Sequence, residues 1–365
     1  MSITVHERPG VYSSYDASSL VRGSDGRKTV GLIAVNAQAQ AGAPQTITSY
    51  EAACAAFGAG EQETDMAQLI RLILLNGAAA VVALPIADAE GYDDAFTTMN
   101  AQENVSIVVC DSTDQGVQQS LRDAVLAASA ARRERIAVVA GAAQESVSAL
   151  IDRAKALNCE RVVLVAPGAV NAEGEELSGV PAAAAVAGAI AALTDPAVPL
   201  GGAELQGLSG LASQYGDNDI DLLVRGGVTP LESVSGTVQV IRGITTRTTS
   251  GQAPDATWRE LSTILIVDDV IPTLRASLQS RFRRAKNTAQ SRGAIRSQVV
   301  LELENKKSRE IITAYDAVSV TADEEDPTVC LVEFSFTVAS SLNQIWLTAH
   351  MIIRTAAPPQ GGARL

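Results

Sequence analysis

The feature that most constrains the fold is an alternation, from Thr29 to about Pro196, of short β-branched runs with longer helical patterns. The runs are apolar on both faces, which is typical of strands buried in a parallel sheet that is covered on both sides. Parallel strands joined by right-handed crossovers place helices on both faces of the sheet. The sequence therefore predicts an α/β fold arranged as a three-layer sandwich. Its predicted strands are Val30–Val35, Ala80–Leu84, Val105–Cys110, Ile136–Ala140 and Arg161–Ala166.

The segments between the runs have the period and the end signals of helices. Ser49 is placed to cap one helix, which Gly58 would end, and Thr64 is placed to cap the next. Pro181–Leu193 is nearly all alanine, valine and glycine, so we expect a helix that is buried on most sides and closely approached by its neighbours. The other predicted helices are Tyr50–Phe57, Asp65–Asn76, Tyr92–Asn100, Gln115–Arg133 and Gln144–Asn158.

Beyond about Gly226 the pattern changes to that of an α+β fold. Val234–Thr249 is strand-like, and Trp258–Phe282 has the pattern of one long helix broken or kinked near Pro272. The remaining predicted elements are a helix at Thr288–Lys306 and strands at Tyr315–Thr321, Thr328–Ala339 and Ile345–Arg354. In the middle strand apolar and polar residues alternate, which indicates a sheet with one buried face.

These patterns divide the chain into four predicted parts. They are an extended N-terminal arm over residues 1–22, an α/β domain over 23–226, an α+β domain over 227–344 and a C-terminal strand or arm over 345–365. The first part has no strong period, and the last contains Pro358-Pro359, which cannot join a helix or a central strand.

Charge and composition exclude several classes of function. The chain has 28 basic and 41 acidic residues, a net charge of −13, which argues against nucleic acid as a partner. The N-terminus lacks the apolar core of a signal peptide, and no apolar run is long enough to span a bilayer, so we expect no membrane insertion. The four cysteines are far apart and form no CxxC pair, which predicts free thiols in a reducing compartment.

The sequence lacks the residues on which most catalysis depends. Its two histidines, His6 and His350, lie near opposite ends, whereas general-base chemistry and transition-metal sites mostly use histidine. There is no GxxxxGK[ST] loop, no GxGxxG after a strand and no GxSxG turn. Asp268 and Asp269 are flanked by apolar residues, and we expect a paired or capping role for them. We predict no enzyme, no catalytic residue, no cofactor and no metal; an α/β hydrolase-like or ligand-binding enzyme is the alternative.

A basic stretch stands out in this acidic chain. Pro272–Arg309 contains ten lysines and arginines against two acids, Glu302 and Glu304. A solvated helix face would explain it, and so would a docking surface for an acidic protein, including another copy of the chain. Nucleic acid is a third, weaker explanation, because the stretch contains a single aromatic residue.

Several segments resemble one known family. They are Arg8-Pro9-Gly10-Val11-Tyr12, the run from Gly236 to Thr248, Trp258-Arg259-Glu260-Leu261, Asp268-Asp269-Val270, Tyr315-Asp316, Asp326-Pro327-Thr328-Val329 and Asn343-Gln344-Ile345-Trp346-Leu347. Together they resemble contractile tail sheath proteins of bacteriophages and of R-type bacteriocins. The resemblance is strongest from about Gly226 to Arg354.

The resemblance implies an α/β domain with a subtilisin-like layout but without a catalytic triad, since Thr29–Arg309 contains no histidine. It also implies a C-terminal α+β domain used for assembly. Many copies would polymerise helically around an inner tail tube protein and contract by repacking between two states, with baseplate and tail terminator proteins as further partners. Such a subunit would assemble in the cytoplasm of a bacterial host and become part of a virion tail or a tailocin.

In the family both terminal arms add strands to the C-terminal sheets of neighbouring subunits, and this chain has strand-forming segments at both ends. A frayed N-terminus and an ordinary edge strand are the simpler alternative. The expected arm contacts are Ile3, Val5, Val11, Tyr12, Ile345, Trp346, Leu347, Met351 and Ile353. The expected tube-facing or intersubunit charges are Arg275, Arg281, Arg283, Arg284 and Lys286.

Overall fold

The computed structural model describes residues 28–36 and 39–343. Its strands are β1 (Thr29–Val35), β2 (Gln45–Ile47), β3 (Ala80–Ile86), β4 (Val105–Cys110), β5 (Ile136–Ala140), β6 (Val162–Ala166), β7 (Ala169–Val170), β8 (Glu204–Leu205), β9 (Gly210–Leu211), β10 (Val228–Val234), β11 (Thr237–Val240), β12 (Thr249–Ser250), β13 (Ala253–Pro254), β14 (Ile312–Ala322) and β15 (Cys330–Val338).

Nine α-helices lie in the same described residues. They are α1 (Tyr50–Phe57), α2 (Met66–Leu75), α3 (Tyr92–Asn100), α4 (Gln115–Ala130), α5 (Val147–Leu157), α6 (Val180–Ala192), α7 (Asp217–Arg225), α8 (Leu261–Phe282) and α9 (Ala289–Ser308). None of these helices is both long enough and apolar enough to cross a bilayer.

The main sheet has nine strands in the order β2-β3-β1-β4-β5-β6-β10-β11-β8. Its six central strands, from β3 to β10, are parallel, whereas β2, β8 and β11 pair antiparallel at the two sides. All five strands expected from the apolar runs are present, which confirms the prediction of a mixed α/β fold dominated by parallel strands.

The sheet separates two apolar cores, so three layers are present. One core contains residues of α1, α2, α6 and the first half of α8. The other, on the opposite face, contains residues of α3, α4, α5 and α7. The central strands are buried on both faces, as their sequences predict.

Helix α6 is buried as expected, and its neighbour α2 approaches very closely. A Cβ atom on Gly188 would lie 2.4 Å from the carbonyl oxygen of Ile73 in α2 and 2.7 Å from the Cβ atom of Asn76. The contact therefore requires glycine at position 188. This close packing explains how an interior built largely from alanine is filled without large side chains.

The predicted helix caps are partly right. The hydroxyl of Ser49 accepts a hydrogen bond from the amide of Ala52, and Gly58 ends α1, as expected. The prediction for Thr64 is wrong, because Asp65 occupies the N-cap of α2. The carboxylate of Asp65 instead accepts from the amides of Glu61 and Gln62, at 2.8 and 2.9 Å, and so closes the preceding turn.

The region after Gly226 first extends the main sheet. Strand β10 pairs parallel with β6, and β11 pairs antiparallel with β10. The expected strand over 234–249 is mostly wrong, since β11 ends at Val240. Beyond it, the hydroxyls of Thr245 and Thr246 donate to the carbonyl oxygens of Trp258 and Cys159. Hydrogen bonds thus continue across the expected boundary, and the four-part division stays a prediction.

The last four elements form a smaller unit with its own apolar core. Helix α8 continues unbroken through Pro272, and α9 packs beside it. The core joins the second half of α8 with α9, β14 and β15 and includes Val270, Leu274, Val299 and Leu303. Strands β14 and β15 pair with each other only, among the described residues, and form a two-stranded antiparallel sheet. We call this pair the hairpin sheet.

Candidate functional site

The hairpin sheet has one apolar face and one polar face. Along β15, Val332, Phe334 and Phe336 are half-buried, whereas Glu333 and Ser335 are exposed. The apolar face packs on the core formed with α8 and α9, and the rings of Phe334 and Phe336 stack with centroids 6.3 Å apart. The prediction that one face is buried is therefore confirmed.

The two strands of the hairpin sheet differ in the regularity of their outer edges. The register between them shifts twice, at Ile312/Ala314 and at Asp316/Ser319, and each shift inserts an extra residue in β14. Ala317 has a φ of 55°, and Asp316 accepts a hydrogen bond from its amide at 2.7 Å. Strand β15 has no extra residue, so its outer edge offers a regular row of backbone donors and acceptors.

A two-stranded sheet is marginal by itself and gains stability from added strands or a packed helix. Helix α9 covers the apolar face of the hairpin sheet, while its outer edges carry no further strand from the described residues. The unit thus has the form of an acceptor for an incoming strand.

The last turn of α8 and the segment that connects it to α9 carry four exposed cations, which we call the basic turn: Arg281, Arg283, Arg284 and Lys286. Arg281 donates to Gln298, and none of the four forms an ion pair with an acid in the described chain. Asn287 follows the turn, and its amide group donates to the carbonyl oxygens of Pro327 and Val329 at 2.8 and 3.0 Å. These bonds fix the basic turn beside the β14–β15 loop.

Arg275, expected with these charges, has different surroundings. Arg275 lies on the side of α8 that faces the α/β domain, and its guanidinium is 3.1 Å from a carboxylate oxygen of Glu134. The two side chains are only 12% and 9% exposed. The structure therefore groups Arg281, Arg283, Arg284 and Lys286 but separates Arg275 from them.

Further ion pairs join α8 to its neighbours. Arg161, the residue before β6, is fully buried, and its guanidinium donates to both carboxylate oxygens of Asp268 at 2.9 and 3.0 Å. The ammonium of Lys306 in α9 lies 2.5 Å from Asp269. The expected paired role of the two aspartates is confirmed. Such bidentate pairing fixes orientation, so α8 is held in one position against the amino ends of the strands.

Arg135, next to these pairs, is another buried charge that the sequence pattern did not reveal. Its guanidinium donates to the carbonyl oxygens of Met99, Gln102 and Arg133 at 2.9, 2.9 and 3.2 Å. Burial, together with the nearby Arg133, lowers the pKa of Arg135 to about 10, although the neighbouring Glu134 carboxylate opposes this shift. Because its guanidinium satisfies three backbone carbonyl groups, Arg135 has a structural role between α3 and β5.

The carboxyl ends of the parallel strands are where α/β enzymes usually bind substrate. Asp111 follows β4; its carboxylate accepts from the amide of Val35 at 2.8 Å and from the hydroxyl of Tyr92 at 2.5 Å. Burial raises the pKa values of both Asp111 and Tyr92. Both carboxylate oxygens are thus occupied in joining β1, β4 and α3.

A cavity of about 250 Å³ lies near the ends of β5 and β6. Its most buried acid, Glu145, binds Arg153 at 3.0 Å and accepts from the amide of Ala142 at 2.8 Å. In the part of the chain that the structure describes, no three cysteine, histidine or acidic side chains come together as metal ligands. All four cysteines are free thiols, as expected.

The other predicted site residues lie outside the described residues. They are Ile3, Val5, Val11, Tyr12, Ile345, Trp346, Leu347, Met351 and Ile353. Both histidines, His6 and His350, lie outside them too.

Comparison with known families gives two matches in succession along the chain. The model of the phage tail sheath protein central domain matches residues 87–246, and that of the phage tail sheath C-terminal domain matches residues 253–352. A curated relative, the tail sheath protein of Bacillus phage SP01, is 27% identical over 227 residues. That alignment covers 60% of this chain and 38% of the relative, so the chain spans well under half of the relative's length.

Solved structures share the fold. A sheath tail protein from Desulfitobacterium hafniense has a TM-score of 0.66 at 13% identity and covers 90% of this chain and 100% of its own. The helical sheath of the anti-feeding prophage in its contracted state has a TM-score of 0.70 at 15% identity and covers 96% and 99%. The sheath complex of an extracellular contractile injection system, also contracted, has a TM-score of 0.68 at 14% identity and covers 95% and 98%.

Proposed function

Because the chain belongs to the phage tail sheath family, we propose that it is the structural subunit of a contractile sheath, polymerising helically around an inner tube. The observation that carries this proposal is the succession of central-domain and C-terminal-domain matches over most of the chain. The family is one of structural proteins, so the prediction that this chain is not an enzyme is confirmed. The α/β domain would have a layout similar to that of subtilisin, without its triad.

The hairpin sheet supplies the acceptor for assembly in this proposal. A strand from a neighbouring copy would add to the outer edge of β15, which is regular, rather than to the bulged edge of β14. The donors would be the terminal segments that contain Ile3 and Val5 at one end and Ile345 and Ile353 at the other. Because each copy gives and accepts strands through different surfaces, the contact is heterologous, and such a contact builds a helical array when its rotation does not close a ring.

The basic turn is the proposed electrostatic contact. Arg281, Arg283, Arg284 and Lys286 are exposed and form no ion pair with acids of the described chain, so they are available to the tube or to an adjacent subunit. Arg275 is the weakest member of this set, because Glu134 already binds its guanidinium.

Contraction would be a switch between two packings of the same subunits. The inner tail tube protein, the baseplate and a tail terminator would hold the extended state until release. The subunits would then form larger contacts while the strand-exchanged arms keep the array connected. Assembly would take place in the bacterial host cytoplasm, and the product would be a virion tail or a tailocin.

The strand-exchange proposal has a test with a matched control. In an added strand Ile3 and Val5 share one face, while Ser2 and Thr4 share the other. Ile3→Asp with Val5→Asp should abolish polymers in sedimentation and negative-stain microscopy, whereas Ser2→Asp with Thr4→Asp should keep them. Equal assembly by both double variants would overturn the role of the N-terminal arm.

A further inference from the structure

The cavity of about 250 Å³ lies at the carboxyl ends of β5 and β6, because Gly141 follows β5 and Pro167 follows β6. Pockets for drug-sized ligands usually exceed roughly 300 Å³, so this one suits a single long side chain. Among the described residues that line it, Glu145 and Glu176 are acids and none is a lysine or an arginine. Arg153 pairs with Glu145 at 3.0 Å, whereas Glu176 is exposed and forms no ion pair with a described residue. Glu176 is therefore the charge that the cavity offers to an occupant.

The surroundings of the cavity are negative as well. Tyr215 lines the cavity and is half-buried. Burial raises the pKa of Tyr215, and the charges of Asp219 and Glu145 raise it further, so both acids lie near its hydroxyl. An aromatic ring among carboxylates attracts a cation, and an ammonium or a guanidinium is the group that this cavity favours. The neighbouring acids without an ion pair in the described chain are Glu173, Glu175, Asp217 and Asp219.

The basic turn lies away from this end of the sheet. Helix α8 is bound by Arg161 and Glu134, the residues that precede β6 and β5, so it crosses the amino ends of these strands. Each strand has five residues and spans about 16 Å, which separates the helix from the cavity. The basic turn follows α8 beyond that crossing. The cations of one chain therefore cannot enter the cavity of the same chain.

We propose that the cavity accepts a cationic side chain from the basic turn of a neighbouring copy, with Glu176 as its ion-pair partner and the Tyr215 ring beside it. The cations available for this contact are Arg283, Arg284 and Lys286, because Arg281 already donates to Gln298. The inference rests on the proposed function, for which it names the partner of the basic turn. Since the two surfaces lie at different ends of the subunit, the contact is heterologous and suits a stack of identical copies.

The test is zero-length coupling with a carbodiimide, which joins a carboxylate to an amine when the two are in contact. Arg283→Lys with Arg284→Lys keeps the charge of the basic turn and adds two amines to that of Lys286. Tubes assembled from equal amounts of nitrogen-15 and nitrogen-14 chains of this variant are coupled, digested and examined by mass spectrometry. The two isotopes distinguish links between copies from links within one chain.

Glu90 is the matched internal control, because it is an exposed acid without an ion pair in the described chain and lies after β3 at the same edge of the sheet. We expect the amines of the basic turn to couple to Glu176 at least tenfold more than to Glu90, in linked peptides that carry both isotopes. Glu176→Gln should remove this product and leave the thermal stability unchanged, since the side chain is exposed. Glu90→Gln should leave the product in place.

Linked peptides that carry a single isotope would overturn the contact between copies, and so would equal coupling to Glu176 and Glu90. Tubes that form without any coupling at Glu176 would also overturn it, while the proposed function would stand. A parent chain that forms no tubes would overturn the proposed function and this contact together.

Discussion

Gly188→Ala places a methyl group where α6 touches α2, and the structure gives the size of the conflict. The new Cβ atom would lie 2.4 Å from the carbonyl oxygen of Ile73, so helix backbones must separate by several tenths of an ångström. Overpacking of a buried site lowers the free energy of unfolding by about 1–3 kcal/mol. Because the atom in the way is a backbone oxygen, we expect a loss at the upper end of this range. Alanine restores about 1 kcal/mol of helix propensity, which leaves a net loss of about 2 kcal/mol.

A matched control exists in α9, where a Cβ atom on Gly293 would meet nothing within 4 Å. Gly293→Ala should therefore raise the free energy of unfolding by about 1 kcal/mol. In urea, with a slope of about 3 kcal/mol/M, the midpoint should fall by about 0.7 M for Gly188→Ala and rise by about 0.3 M for Gly293→Ala. A Gly188→Ala protein as stable as the parent chain would refute the close contact between α6 and α2.

Three further results are expected. Asp268→Asn leaves a buried guanidinium without its carboxylate and should cost about 3–5 kcal/mol in urea unfolding, whereas a loss below about 1 kcal/mol would contradict the pairing. Burial raises the pKa of the Cys110 thiol from 9.0 to about 12, so its thiolate fraction at pH 8 is about a thousandth of the usual fraction. Cys110 should therefore react with iodoacetamide far more slowly than half-buried Cys54, and equal rates by mass spectrometry would contradict this. Arg283→Glu with Arg284→Glu should change how readily particles contract in electron micrographs, and unchanged contraction would remove the basic turn from the mechanism.

The sequence predicts the α/β layers well because their signals are local. A strand buried on both faces is apolar at nearly every position, so β4 and β5 could be bounded correctly from composition alone. The alanines of α6 leave no polar face, and its predicted bounds are correct to within one residue at each end. The cap of α2 could not be chosen in the same way, because Thr64 and Asp65 are both good capping residues and the backbone angles decide between them.

The candidate site was less predictable, because its contacts join distant parts of the chain. Arg161 and Asp268 are 107 residues apart, and although the apolar neighbours of Asp268 indicate a paired carboxylate, nothing in the local pattern identifies Arg161 as its partner. Arg275 illustrates the converse, since its place in a basic run does not reveal Glu134 beside it. The open edges of the hairpin sheet follow from strand pairing, which the alternation in β15 alone does not specify.

Helical reconstruction of the assembled protein by cryo-electron microscopy would show whether strands are exchanged between copies. We expect hollow tubes in which a strand from a neighbouring copy lies along the outer edge of β15 and extends the hairpin sheet. Discrete particles in place of tubes, or tubes in which every strand beside β15 comes from the same chain, would contradict it.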